Sequence, residues 1–178
     1  MREHLFKGFH PDENGTIEIT LNGEKIKGEW VIGDGIHYPK SINYKGSCWI
    51  DGMQEKANDW VHVLSETVCE YTGLTDTNGN KIFNHAIVAF HYGHNKDICE
   101  VCFESGAFGL GKSYPKKFDY DELETSVANA TENDSYFVGN DNFISLWEIA
   151  WNYNEYAGEN LHLVEIIGNI FENSELLK

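Results

Sequence analysis

AIVAFHYGHNKDICEVCFE, residues 86–104, is the stretch that decides the fold class of this chain. Apolar residues dominate 86–92 and 98–104. The polar residues 93–97 between these runs have the length of a hairpin loop. The stretch therefore predicts two neighbouring strands joined as a β-hairpin.

The sequence before this hairpin also has the pattern of short strands and turns. Ile17, Ile19 and Leu21 alternate with polar residues, which is the period of a half-buried strand. Asn22 and Gly23 follow, and this dipeptide suits the positive φ angles of a tight turn. Further strands are predicted at 47–50, 60–64 and 67–71. We therefore predict a mainly β chain of the α+β class.

Three tryptophans, Trp30, Trp49 and Trp60, fall in predicted strands. Aromatic residues in strands usually pack against the core. We therefore expect all three to be core residues.

The stretch from about 113 to 160 predicts an acidic, partly helical insertion. Acidic residues at 119–122 are typical of a helix start, because they favour the positive end of the helix dipole. A second helix is predicted from Phe143 to about residue 157, capped by Asp141 or Asn142 and stopped by Gly158. Its apolar residues cover two adjacent faces, as in a deeply packed helix or one that also contacts another subunit. Packing within one chain is the default expectation.

The charge of the chain excludes several classes of partner. The 29 acidic and 13 basic residues give a net charge of −16. Nucleic-acid binding needs clustered Lys and Arg, and anionic membranes repel an acidic surface. Residues 118–177 contain 13 acidic residues and no Lys or Arg. This segment is either a solvated acidic face or a surface for a basic partner.

No apolar run has the length of a signal peptide or a membrane span. We therefore expect a protein of the bacterial cytoplasm. In that compartment its four cysteines stay reduced.

Residues 106–113 match the nucleotide-binding pattern G-x-x-x-x-G-K-S literally. A true site needs a helix that starts at the lysine, because the helix N-terminus binds the phosphates. Pro115 follows closely and disfavours helical angles in the residue before it. We expect a glycine-rich strand end or turn with an exposed Lys112, and no nucleotide or other cofactor.

His91, His94, Cys99 and Cys102 have a spacing that suggests a zinc site. Within a strand, however, residues three apart point to opposite faces, so the two thiols would not reach one ion. We therefore assign no metal site. The remaining histidines are scattered, and we assign no catalytic residue.

Three separated stretches carry a family resemblance. They are LFKG at 5–8 with GEWVIG at 28–33, TVCEYTGLTDTNGNKI at 67–82, and VEIIGNIFENSELL at 164–177. Together they resemble the YopX-like proteins of phages and prophages of Gram-positive bacteria. The resemblance implies an irregular β-rich part at 1–70. It also implies a small Src-homology-3-type β-barrel at 71–178, which would hold the insertion. It implies a phage context but no activity.

The sequence departs from the family pattern after the central stretch. Family members commonly have an aromatic residue followed by Glu-Gly-Asp there, whereas Phe83 is followed by Asn84, His85 and Ala86. The Glu-Gly-Asp residues of that acidic turn are therefore absent from these positions of the chain.

We predict a non-enzymatic phage or prophage accessory protein that acts as a protein-binding or assembly module. Phe143, Trp147, Trp151 and Tyr153 are the candidate contact residues, because aromatic anchors dominate interface energetics. Self-association through them is a further expectation. One alternative is an acidic decoy that mimics nucleic acid and inhibits a basic host protein. The other is an enzyme of unknown type.

Overall fold

The computed structural model describes residues 4–38, 46–52, 60–113, 115–131, 134–138, 142–153 and 160–178. The chain divides into two compact units, Met1–Tyr71 (unit 1) and Thr72–Lys178 (unit 2). In the part of the chain that is described, no helix is long and apolar enough to cross a membrane.

Unit 1 is built from antiparallel strands. They are β1 (Phe6–Pro11), β2 (Ile17–Leu21), β3 (Glu24–His37), β4 (Ser47–Gly52), β5 (Trp60–Leu64) and the start of β6 (Cys69–Thr75). Their order is β5-β4-β3-β1-β6, and β2 also pairs with β3. Asn22 and Gly23 have φ angles of 52° and 84°, so the predicted tight turn between β2 and β3 is confirmed.

One face of β4 and β5 forms a hydrophobic core in unit 1. Cys48, Ile50 and Val63 are fully buried there. Since side chains alternate along a strand, Trp60 lies on the opposite face from Val63, and it is 47% exposed. Trp30 and Trp49 are only half-buried and are not among the buried core residues, so the prediction that the three strand tryptophans are core residues is wrong.

Unit 2 contains the second antiparallel sheet. Its strands are β8 (Ala86–Tyr92), β9 (Asn95–Glu104), β10 (Ala107–Gly111), β11 (Phe143–Ser145) and β12 (Val164–Asn169), in the order β11-β10-β9-β8-β12. β7 (Lys81–Phe83) pairs with β6. The hairpin predicted at 86–104 is confirmed. Its turn is tighter than expected, because Tyr92 pairs with Asn95 and leaves two residues between the strands.

The mainly β fold class is confirmed, but the barrel is not. In the described ranges the five-stranded sheet of unit 2 is open, with β11 and β12 at its edges. A closed barrel of the Src-homology-3 type is therefore not found among these residues.

Among the described residues of unit 2, two α-helices pack against its core. α1 (Tyr120–Thr131) buries Leu123 and Val127 and confirms the first predicted helix. α2 (Leu146–Asn152) is shorter than the second predicted helix. Phe143, which was expected to begin that helix, lies in β11 instead, where it pairs with Gly111 of β10. Residues 154–159, which include the predicted stop at Gly158, lie outside the described residues.

Asp76 fixes the turn between β6 and β7. Its carboxylate accepts hydrogen bonds from the backbone N–H groups of Asn78, Asn80 and Ile166 and from the side-chain amide of Asn80. Burial raises the pKa of Asp76, but these donors outweigh burial and hold it below its usual value. The turn of the central family-like stretch is therefore held by one buried carboxylate.

Candidate functional site

The start of α2 is set by its own residues. The Ser145 hydroxyl accepts a hydrogen bond from the Glu148 N–H at 3.1 Å, and the Glu148 carboxylate accepts one from the Ser145 N–H at 2.9 Å. This reciprocal pair is a capping box. Neither predicted cap caps α2: Asn142 lies before β11, and Asp141 lies outside the described residues.

The inner and outer sides of α2 differ sharply. Leu146, Ile149 and Ala150 are buried in the core of unit 2. Trp147 and Trp151 are 65% and 61% exposed. Residues four apart lie one above the other on a helix, so the two indoles form one outward stripe. Tryptophan is usually well buried, which makes this stripe unusual.

A second apolar segment runs beside this stripe. The Asn152 side chain donates to the Tyr136 carbonyl at 2.7 Å and accepts from the Tyr136 N–H at 2.6 Å. Glu148 accepts from the Val138 N–H. Tyr136 and Val138 are 69% and 68% exposed. We call Tyr136, Val138, Trp147 and Trp151 the aromatic patch.

The other two candidate contact residues have different surroundings. Phe143 is buried and packs closely on Gly109, where an added Cβ would lie 2.3 Å from the Phe143 ring. Tyr153 is half-buried, and its hydroxyl donates to Ser126 of α1 at 2.9 Å. Trp147 and Trp151 are therefore the two of the four candidates that point outward. The apolar period of the sequence did not distinguish the buried from the exposed side chains among these four residues.

Several carboxylates of the acidic segment serve the fold. Asp119 accepts from the Glu122 N–H at the start of α1, and Glu122 accepts from the His94 N–H at 2.7 Å. Glu148 belongs to the capping box. Other acidic side chains of the segment are exposed, among them Asp121 and Glu124 on α1 and Asp134. Some carboxylates of the predicted acidic face therefore stabilise the fold, and the others are exposed to solvent.

The nucleotide-like stretch forms a turn and β10 rather than a loop before a helix. The Lys112 ammonium donates to Asp97 at 2.7 Å and to the Lys117 carbonyl at 2.6 Å, and it lies 4.6 Å from the centre of the Phe118 ring. Its side chain is only 6% exposed. The expectation of an exposed Lys112 is therefore wrong, because this lysine pairs with an acid of the neighbouring hairpin.

The suggested zinc ligands are spread apart. Cys99 is buried in the core, and burial raises its pKa to about 12. Cys102 faces the other side of β9, and burial raises its pKa to about 11. The His91 imidazole lies 4.0 Å from Glu165. Across the described ranges, no three His, Cys, Asp or Glu side chains converge on a possible metal position.

A small cleft of about 190 Å³ lies on the Cys102 side of β9. Its lining combines acidic, thiol and lysine side chains from Glu100, Cys102, Glu104 and Lys112. The His85 imidazole hydrogen-bonds to Glu100 at 3.0 Å. Burial raises the pKa of the Cys102 thiol, and Lys112 is bound to Asp97, so neither group is an activated nucleophile.

Comparison with known proteins addresses the resemblance of the sequence. Residues 23–140 match the model of the family described as YopX protein. This match covers about two-thirds of the 178 residues. The chain belongs to the YopX family. The predicted family is thus confirmed.

Two solved structures are similar to this YopX-family chain. Protein yopX from Bacillus subtilis is 14% identical with a TM-score of 0.40, and the match covers 92% of this chain and 97% of that one. Protein EF1440 from Enterococcus faecalis is 16% identical with a TM-score of 0.35, and the match covers 98% of each chain. No curated protein matches the chain.

The aromatic patch extends beyond the residues that match the YopX family. Tyr136 and Val138 lie within 23–140, whereas Trp147 and Trp151 lie after it. The family match therefore does not by itself account for the two exposed indoles.

Proposed function

We propose that this YopX-family protein is a non-enzymatic protein-binding or assembly module of a phage or prophage. It acts in the cytoplasm of the bacterial host, and its partner binds the aromatic patch. One observation carries the proposal: four large apolar side chains, each more than 60% exposed, lie on α2 and on the segment that is hydrogen-bonded to it.

The energetics of association favour this use of the patch. Each indole that a partner covers removes a large apolar area from water, and tryptophan is enriched among residues that dominate binding energy. The buried residues of α2 and the capping box fix the helix that carries the indoles. A pre-formed helix loses little backbone entropy on binding.

The chemistry of the thiols supports a non-enzymatic role. Burial raises the pKa of all four cysteines, of which Cys48 and Cys102 reach about 11 and Cys69 and Cys99 about 12. A thiol with a raised pKa is a poor nucleophile, because the thiolate is the reactive form. Four free cysteines also fit a reducing cytoplasm. An enzyme of unknown type is the weaker alternative.

The acidic decoy remains a second candidate, favoured by the exposed carboxylates of Asp121 and Glu124 on α1. A decoy displaces DNA from a basic host protein through charge alone. It therefore predicts that Asp121→Asn/Glu124→Gln lowers competition with duplex DNA for that protein, while loss of the indoles has no effect. Competition that depends on Trp147 and Trp151 would count against a decoy.

The central test is capture of a host protein during prophage induction. We expect the immobilised protein to retain a specific partner, and Trp147→Ala/Trp151→Ala to lose it. Phe103→Ala is the matched control, because Phe103 is 62% exposed on β9 of the same unit. Equal capture by all three proteins, each shown to be folded by circular dichroism, would refute the proposed function.

A further inference from the structure

We infer that the partner surface bound by the aromatic patch is a basic, amphipathic protein segment, in which Lys or Arg flanks apolar side chains. This inference rests on the proposed function and names the chemistry of its partner.

The apolar half of the inference follows from exposure. Trp147 and Trp151 are one helical turn apart on α2. Tyr136 and Val138 belong to the segment that is hydrogen-bonded to this helix, and all four side chains are exposed. A partner that covers them must supply apolar side chains at a similar spacing. A short amphipathic helix presents such side chains at positions three and four apart.

The charge half follows from the groups around the patch. Glu148 lies between the two indoles in the sequence, and its carboxylate is fixed by the Ser145 and Val138 N–H groups. Asp134 is exposed at the start of the neighbouring segment. No Lys or Arg within 118–177 balances the acidic residues of that segment.

α1 packs against the elements that carry the patch and has exposed carboxylates of its own. The Tyr153–Ser126 hydrogen bond and the contact between the Tyr120 and Phe137 rings, at 6.1 Å, connect α1 to both elements of the patch. Asp121 and Glu124 are exposed on this helix. Exposed carboxylates are therefore present both on α1 and on the segment that carries Tyr136 and Val138.

A basic amphipathic segment complements both the apolar side chains of the patch and the acidic residues around it. An Arg or Lys over the face of a tryptophan gains cation–π attraction, and its aliphatic stem packs on the ring. Complementary charge speeds encounter and rejects acidic partners.

A second copy of this chain fits the patch poorly. It would bring two segments of 13 acidic residues each towards one another. Like charges placed across an interface cost free energy. An anionic lipid surface is disfavoured for the same reason.

The test uses three synthetic peptides with one shared set of Leu and Ile positions and a polar face of Arg and Lys, of Gln, or of Glu. Binding of each fluorescent peptide to the full protein is measured by anisotropy in 150 mM NaCl. We expect the basic peptide to bind about 10-fold tighter than the Gln peptide, and the Glu peptide not to bind. Higher salt should weaken the binding of the basic peptide to the protein.

Three variants separate the patch from net charge. Trp147→Ala/Trp151→Ala keeps the net charge and should weaken the basic peptide about 10-fold or more, as loss of hot-spot residues does. Asp121→Asn/Glu124→Gln should weaken it by roughly 3-fold, as rim charges do. Phe103→Ala should leave it unchanged.

The inference is overturned if the Gln peptide binds as tightly as the basic one, or if loss of both indoles leaves basic binding unchanged. It is also overturned if light scattering shows a dimer that Trp147→Ala/Trp151→Ala converts to a monomer. A partner captured from host cells through the indoles, but insensitive to salt, would sustain the proposed function and refute the basic partner. Capture without dependence on the indoles would refute the proposed function itself.

Discussion

Units 1 and 2 use their tryptophans in different ways. In unit 1, the Trp30 ring contacts Phe9 at 5.3 Å, and the Trp49 ring contacts His62 at 5.6 Å. In unit 2, the core contains other aromatic rings, and Trp147 and Trp151 remain outside. The strand tryptophans of unit 1 thus take part in ring contacts across the sheet, whereas the two indoles of α2 lie outside the core of unit 2 and are largely exposed.

The filled core of unit 2 explains why α2 can expose so much apolar surface. Phe90 is fully buried and lies 4.9 Å from the Tyr92 ring and 6.4 Å from the Phe118 ring. Burial of such rings supplies a large share of the folding free energy. We therefore expect the exposed indoles to contribute less to stability than the buried rings, and this difference between core and surface can be tested.

The largest expected effect is the loss of a core ring in unit 2. Phe90→Ala removes a fully buried ring and should lower the free energy of unfolding by about 3–5 kcal/mol. Urea unfolding followed by circular dichroism measures this change. Phe103→Ala, which removes a mostly exposed ring that contacts the Phe108 ring at 5.0 Å, should change it by no more than about 1 kcal/mol. Similar losses in both variants would break the contrast between core and surface.

The next effect compares one ion pair from each unit. Lys112→Met removes the partner of Asp97, and both side chains of this pair are largely shielded from water, at 6% and 21% exposure. We expect a loss of about 2 kcal/mol, below that of a fully buried pair. Lys25→Met breaks the exposed Lys25–Glu18 pair of unit 1 and should have no measurable effect. An unchanged stability for Lys112→Met would contradict the structural role of this lysine.

A smaller effect concerns pH and Asp76. Because the folded state holds the pKa of Asp76 below its usual value, the ionised carboxylate stabilises the fold above that usual value. This stabilisation is lost as pH falls through the lower, folded pKa. Asp76→Asn should cost about 1–2 kcal/mol at pH 7, since it weakens a hydrogen-bonded buried acceptor. Unfolding measured between pH 7 and pH 2 should then show a shallower fall, and an unchanged slope would contradict this.

The smallest expected effect is on the stability of the patch variant. Trp147→Ala/Trp151→Ala should change the free energy of unfolding by at most about 1 kcal/mol, because both side chains are mostly in water. Trp49→Ala, which removes a half-buried ring that contacts His62, should cost about 2 kcal/mol. Urea unfolding decides between them. A larger loss for the double variant than for Trp49→Ala would reverse the comparison of the two units.

Local signals predicted much of the fold. The turn at Asn22 and Gly23 and the hairpin at 86–104 depend on neighbours in the sequence, so pattern and turn chemistry identified them. The start of α2 was also available locally: Ser145 and Glu148 have the spacing of a capping box, which indicates a helix that begins after Ser145. The apolar period alone placed the predicted start of this helix at Phe143, whereas α2 begins at Leu146.

Other features depend on residues far apart in the sequence. Phe143 and Ile144 belong to β11 because they pair with β10 more than thirty residues earlier. Lys112 is buried because Asp97, on the neighbouring hairpin, lies within hydrogen-bond distance. No local sequence pattern predicts the strand at β11 or the burial of Lys112, because long-range pairing overrides local preference.

The sequence by itself determined the excess of negative charge, the segment without Lys or Arg, the mainly β class and the resemblance to the YopX family. These depend on composition, on local turns and on the order of short stretches along the chain. Only the tertiary structure decided which aromatic residues face water. Exposure depends on what covers a side chain, and for Trp147, Trp151 and Phe143 that depends on elements brought together by folding.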